Sequence, residues 1–217
     1  MSEEIEENNI SIKVTMVGSS GVGKTCITER FTKNEFDEAI PTTSGANYLK
    51  KEMFIDNKKI MLDIWDTAGQ EKFHSLGRHF YKNSHIIILV YDLTNRESFD
   101  DIKNYWYNDI IENGEKYKVI GIVGNKIDLY DDKGVDEFDD QIVKDFVKSK
   151  SDEKETKIVS MKVSAKTGVN IKSLFEKLIK EYLKKEFNYS IRQGTLQSAG
   201  SFNISKKKKQ KKQNCCE

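Results

Sequence analysis

Cysteine and proline are both scarce in these 217 residues: three of the former and one of the latter. Three thiols are too few for a disulfide framework, so the fold must rest on a buried apolar core. Cys26 falls in an expected helix and reads as a buried structural thiol; Cys215 and Cys216 are adjacent near the end. The single proline, Pro41, falls in the loop expected between the first helix and a hairpin. No apolar run approaches the roughly 20 residues needed to span a bilayer. The first residues hold Glu3, Glu4, Glu6 and Glu7 in place of the basic start and apolar stretch of a signal peptide. Ser2 stands where N-myristoylation needs glycine. A cytosolic site of action is expected. An excess of one charge is also missing, since 36 basic residues face 35 acidic ones. That balance hides an asymmetry. Residues 1–205 hold 30 basic against 34 acidic residues, whereas Lys206, Lys207, Lys208, Lys209, Lys211 and Lys212 crowd the last twelve. A weakly acidic body with a basic tail argues against a nucleic-acid-binding domain and for a tail aimed at an anionic surface.

What is present is an alternation of strand and helix patterns. Residues 12–17 are β-rich and run into Gly18, and 24–33 fit a first helix. Residues 48–55 and 60–65 are strand-like and separated by Asp56-Asn57, a turn signal that makes them an antiparallel hairpin. Residues 86–91 and 119–123 are nearly continuous apolar runs, as in strands buried on both faces of a parallel sheet. Helices are expected near 98–111, 137–148 and 171–186, with a last strand at 157–163. There is no internal repeat. The pattern predicts a doubly wound α/β fold: a six-stranded, mostly parallel sheet with one antiparallel strand and helices on both faces. Ligands in such folds sit at the carboxyl ends of the strands. Residues 1–9 read as an acidic leader, 10–187 as the folded domain and 188–217 as a disordered tail.

Four motifs lie at those strand ends. Gly18-Ser19-Ser20-Gly21-Val22-Gly23-Lys24-Thr25 matches the P-loop pattern at every fixed position. Its glycines let backbone N–H groups turn in around a phosphate, Lys24 can neutralise β- and γ-phosphate charge, and the Thr25 hydroxyl can bind Mg²⁺. Asp63-Ile64-Trp65-Asp66-Thr67-Ala68-Gly69-Gln70-Glu71 places Asp66 for the metal's outer shell, the Gly69 N–H for a γ-phosphate and Gln70 for an attacking water. Asn125-Lys126-Ile127-Asp128 offers a carboxylate that accepts from guanine N1–H and N2–H₂, donors that adenine lacks, and the Ala165 N–H in Ser164-Ala165-Lys166 could reach guanine O6.

These elements resemble those of Ras-superfamily small GTPases, over about residues 12–186. Trp65 before Asp-Thr-Ala-Gly-Gln, the strand Leu89-Val90-Tyr91-Asp92-Leu93-Thr94 and the terminal Cys215-Cys216 make the chain similar to Rabs. Gly45-Ala46-Asn47-Tyr48-Leu49 and Phe73-His74-Ser75-Leu76 are most similar to the early-endosomal subgroup. The resemblance implies a P-loop NTPase fold and a GTP/GDP switch of vesicle trafficking on the cytoplasmic face of endosomal or other membranes. It implies GTP and Mg²⁺ as ligands, with nucleotide contacts from Ser20, Gly21, Val22, Gly23, Lys24, Thr25 and Cys26. In the first switch, Phe36 matches the aromatic that stacks on guanine, with core packing as the alternative. Thr43 matches the threonine reaching Mg²⁺ and γ-phosphate, which makes Thr25, Thr43 and Asp66 the metal set and Lys24, Thr43 and Gln70 the catalytic set. Ser20 sits where side-chain size limits hydrolysis. Tyr48, Trp65 and Phe80 correspond to the aromatic triad that meets effectors; packing on the sheet is the alternative for all three, and for Trp65 the two readings are equal. Implied partners are an exchange factor, a GTPase-activating protein, a GDP-dissociation inhibitor and an escort protein.

Departures from the pattern are Ile40, where a tyrosine often covers the phosphates, Ser44 in place of an isoleucine, and Lys162 in place of an acidic residue. Ile40 and Ser44 leave open a scaffold that binds GTP with little useful hydrolysis. The charged stretch 130–155 is longer than usual and reads as a solvated insertion or as a docking surface. The ending Cys215-Cys216-Glu217 is no C-a-a-X box but resembles the double-cysteine ends that receive two geranylgeranyl groups. Two lipid chains hold firmly where one binds marginally, and each nearby lysine adds about 1 kcal/mol on an anionic leaflet. Replacing Cys215 and Cys216 together by serine is expected to move the protein from the membrane to the soluble fraction of its native cell; retention on membranes would refute this reading of the tail.

Overall fold

The computed structural model describes residues 10–69, 80–113, 119–129, 140–153 and 157–192. Six strands form one sheet in the order β2-β3-β1-β4-β5-β6. At its centre, β1 (Ile10–Val17) runs parallel to both β3 (Lys58–Thr67) and β4 (Ile86–Asp92). Beyond β4 lie β5 (Val119–Asn125) and β6 (Lys157–Lys162), also parallel. Only β2 (Ala46–Ile55) is antiparallel, on β3. The two-residue turn between them has Asp56 at φ 49° and Asn57 at φ 62°. Both residues tolerate left-handed backbone, and two positive φ values in a row match the twist of a tight hairpin.

Every residue of β4 and β5 is buried, as their apolar runs imply. Alternate side chains feed two cores. Ile86, Ile88 and Val90 join one with α1 (Lys24–Lys33) and α5 (Ile171–Arg192), where the Phe31 and Phe175 rings stack at 3.7 Å. Ile87, Leu89 and Tyr91 join the other, under α2 (Arg96–Asp101), α3 (Tyr107–Asn113) and α4 (Asp140–Glu153). The layered architecture is the one expected.

Two helices differ from their sequence pattern. Between α2 and α3 the chain makes a π-helical turn, Ile102–Trp106, in which the Tyr107 N–H donates to the Ile102 carbonyl. The wider turn buries Trp106 and Tyr107, consecutive large aromatics, and sets the Trp106 indole N–H 3.3 Å from Ser19 Oγ. The last helix continues to Arg192, past residue 186 where the periodicity fades. Of the stretch 130–155, residues 140–153 form α4 and Asp140 pairs with Lys162 at 2.5 Å; the rest lies outside the described residues.

Parallel register brings the loop-bearing ends to one edge: Met16 lies opposite Asp66, and Asp92 opposite Asn125. Two glycines in β5 let its neighbours close in. A Cβ on Gly124 would stand 2.8 Å from the Tyr91 ring and 2.9 Å from Leu93, and one on Gly121 would stand 3.3 Å from Leu178. Gly124→Ala is therefore expected to cost about 1–3 kcal/mol by overpacking, read as a lower urea midpoint at unchanged slope, and Gly121→Ala less. An unchanged midpoint for Gly124→Ala would contradict the packing described.

Candidate functional site

The loop between β1 and α1 wraps its own lysine. Lys24 is buried and donates to the carbonyl oxygens of Gly18 (2.7 Å) and Ser19 (2.9 Å). Burial pushes its ammonium down to about 8, against the opposing pull of the Asp66 carboxylate. Gly69 closes on the same group: a Cβ there would fall 2.5 Å from Lys24 Nζ and from the Ser19 carbonyl. Only a glycine lets the chain after β3 approach the phosphate loop this closely. Gly23, the N-cap of α1 at φ 92°, has the Asn125 amide 2.3 Å from where its Cβ would be.

Asp66 is fully buried at the end of β3. Its Oδ2 accepts from Thr25 Oγ1 at 2.7 Å, and Thr25 Oγ1 lies 2.9 Å from Thr43 Oγ1. Its Oδ1 is buried with no hydrogen-bond partner. Burial raises the Asp66 carboxyl above its usual range, partly offset by the Thr25 hydroxyl and the Lys24 charge. Two hydroxyls and an under-satisfied carboxylate are hard oxygen donors of the kind Mg²⁺ takes, alongside waters and phosphate oxygens. The expected metal set therefore converges. The segments bearing Thr43 and Gly69 also share a backbone bond, from the Ala68 N–H to the Gly45 carbonyl at 2.7 Å.

The other half of the site is braced by Asn125. Its Nδ2 donates to the Val22 carbonyl at 3.0 Å, and its Oδ1 accepts the Ala165 N–H at 3.1 Å. Ser164 Oγ donates to Asp128 Oδ1 at 2.5 Å, fixing that carboxylate. Lys126, with φ 67°, reaches back to Asp92 at 2.6 Å. Across the opening, Lys166 Nζ meets Glu38 at 2.6 Å, a contact that raises the lysine's affinity for its proton.

These groups line one cleft of about 400 Å³. Of the expected site residues, Ser20, Gly21, Gly23, Lys24, Thr25, Cys26, Phe36, Thr43, Gly69, Asn125, Lys126, Asp128, Ala165 and Lys166 face it. Val22, Asp66 and Ser164 stand behind it, buried. Cys26 is not the buried thiol expected; it is half-buried, touching both the core and the cleft, and burial raises its thiol. Phe36 packs on the core and also lines the cleft. Ile40 and Thr67 also line it. Glu38 carries no sequence signal, because only its distance to Lys166 in the fold reveals it. Gln70, the 73–76 stretch, the basic run 206–212, Cys215 and Cys216 lie outside the described residues.

Away from the cleft, Tyr48, Trp65 and Phe80 form a continuous aromatic row, with centroids 5.1 and 5.5 Å apart. Tyr48 is 46% exposed and Trp65 half-buried, with Lys13 and Lys50 over the rings. Tyr48 donates its hydroxyl to Asp63. The row is a surface feature, not part of either core.

Comparison with known proteins agrees with this geometry. A family model described as the Ras family matches residues 13–184. The Ypt/Rab-type GTPase ypt71 of Schizosaccharomyces pombe is 33% identical over 182 residues, covering 83% of this chain and 85% of its own length. Ras-related protein Rab-1C of Dictyostelium discoideum is 36% identical over 183 residues, covering 84% and 86%. Ras-related protein Rab-26 of Bos taurus is 36% identical over 175 residues, covering 80% of this chain and 64% of its own.

The buried lysine gives the site a pH dependence with a definite sign. Below pH 8 Lys24 is charged with or without bound phosphates, so binding gains or loses no proton there. Above pH 8 the free protein has shed that proton and a polyphosphate must restore it. Nucleotide affinity is expected to fall as pH rises from 8 to 9.5, by up to about tenfold per unit. Calorimetry in buffers of different ionisation heat should show proton uptake; binding without it in that window would count against the buried lysine.

Proposed function

We propose that this chain, which belongs to the Ras family and is a small GTPase of the Rab type, works as a GTP/GDP switch in vesicle trafficking, at endosomal membranes. The observation that carries the reading is the meeting, in one cleft, of the Lys24 loop, the Thr25 and Thr43 hydroxyls backed by Asp66, and the Ser164-held Asp128 carboxylate.

Each part has a role in that reading. Asp128 accepts from guanine N1–H and N2–H₂ and the Ala165 N–H turns to O6, so adenine leaves a fixed carboxylate unpaired. Phe36 stacks on the base. Lys24 exchanges its two carbonyl partners for phosphate oxygens, which hold its charge more firmly. Thr25 and Thr43 would hold Mg²⁺, with Asp66 behind them, and the ion would neutralise phosphate charge. Gly69 offers its N–H to the γ-phosphate, and Gln70 orients the water whose oxygen bonds to the γ-phosphorus as the bond to the leaving GDP oxygen breaks. Ser20 is small enough to leave room for that water. Once the γ-phosphate departs, Thr43 and Gly69 lose the group that holds them, and both switch segments relax.

Among the described residues no arginine lines the cleft. Transition-state charge is therefore under-compensated, and hydrolysis is slow until an activating protein supplies the missing cation. An exchange factor, a dissociation inhibitor and an escort protein complete the cycle, and effectors read the Tyr48–Trp65–Phe80 row. No described helix is long and apolar enough to cross a membrane; attachment rests on Cys215 and Cys216 with the basic run before them.

Single-turnover hydrolysis of bound GTP tests the mechanism. Turnover is expected to be slow in the isolated protein, stimulated by an activator, and slower again in Gln70→Leu. Fast turnover alone would sink the activator argument, and an unaffected Gln70→Leu would favour a GTP-binding scaffold.

A further inference from the structure

Arg30 belongs to none of the motifs, yet its guanidinium is spent on the guanine-side loop. It lies in α1 and sends Nε to the Ala165 carbonyl (2.8 Å) and Nη2 to the Lys166 carbonyl (2.7 Å). Nη1 turns the other way, to the carbonyl (2.9 Å) and side-chain oxygen (3.3 Å) of Asn34, the left-handed C-cap of α1. Its stem runs beneath Gly168, whose Cβ position would be 3.7 Å from Arg30 Cδ. A single planar fork thus joins the loop that faces guanine to the chain leading into Phe36.

The bonds continue toward the base. The Lys166 carbonyl and the Thr167 N–H belong to one peptide group, and that N–H donates to Ser164 Oγ at 3.0 Å. Ser164 Oγ in turn donates to Asp128 Oδ1. A cation on the carbonyl end of such a chain polarises every link after it. The second arm holds Ala165 by its carbonyl, while its N–H donates to Asn125 Oδ1 at 3.1 Å, the bond it exchanges for guanine O6. Both groups that read guanine, the Asp128 carboxylate and the Ala165 N–H, are oriented from one side chain outside the cleft lining.

We propose that Arg30 is a positioning residue for base selectivity: its fork on Ala165 and Lys166 holds the loop so that Asp128 and the Ala165 N–H present to guanine together. The inference rests on the GTPase reading above. Lysine cannot replace arginine here, because a point ammonium cannot span two carbonyls in the fixed plane of a guanidinium. Lys24 and Thr25, which hold the phosphate half, make no bond to this fork, and the two halves meet through Asn125, so the effect falls first on the base.

The test uses the full chain with Mg²⁺, measuring release of a fluorescent GDP and competition by unlabelled GDP and ADP. Arg30→Gln is expected to speed GDP release and lower the GDP-over-ADP preference by about tenfold, with ADP competition unchanged. Arg30→Lys, which keeps the charge and the stem, should recover only a minor part of the preference, and it carries the test if the glutamine variant fails to fold. GDP and ADP weakened alike, an unchanged preference, or full rescue by lysine would each overturn the proposal. A wild-type protein without guanine preference would instead overturn the GTPase reading.

Discussion

The Asn125 side-chain amide spans the two halves of the cleft, one end on the Val22 carbonyl and the other on the Ala165 N–H. It is 2% exposed, at the end of a strand buried along its whole length. An amide so enclosed must satisfy both its donor and its acceptor within the protein, and these two loops are what it finds. Gly23 is excluded from carrying a side chain by the same amide. The phosphate loop and the base loop, separated by some 140 positions in the chain, thereby hold a common frame.

That frame depends on how deeply β4 and β5 are buried. With both faces covered, alternate residues commit to different cores and the register cannot slip without moving every side chain to the wrong layer. The parallel ladder then fixes the height of each strand's carboxyl end, and with it Asp66, Asp92 and Asn125. Lys24 opens α1 and Asp66 lies at the end of β3, so charges this costly to bury are held by rigid elements.

Local signals in the sequence carried far. The α1 start at Lys24, the Asp56-Asn57 hairpin turn, the fully buried β4 and β5 and most of the cleft lining follow from short-range patterns. What escaped them arises from long-range contact. Arg30 meets Ala165 across 135 positions and Glu38 meets Lys166 across 128, and neither pair belongs to a motif. The π-helical turn was hidden because the buried positions Phe99, Ile102, Trp106 and Ile110 keep ordinary helical spacing. The partly open state of Cys26 was hidden for another reason: α1 turns that position toward the cleft, where an apolar side chain and a nucleotide-facing one look alike in sequence.

The bond from the Ala68 N–H to the Gly45 carbonyl ties the segment after Thr43 to the one before Gly69. Two segments that share a hydrogen bond cannot order independently, so the free energy of ordering belongs to the pair. Linkage then works in both directions: a protein that grips either segment shifts the other, and by the same amount as the reverse. A partner on the outer face and a phosphate in the cleft therefore help or hinder each other without touching.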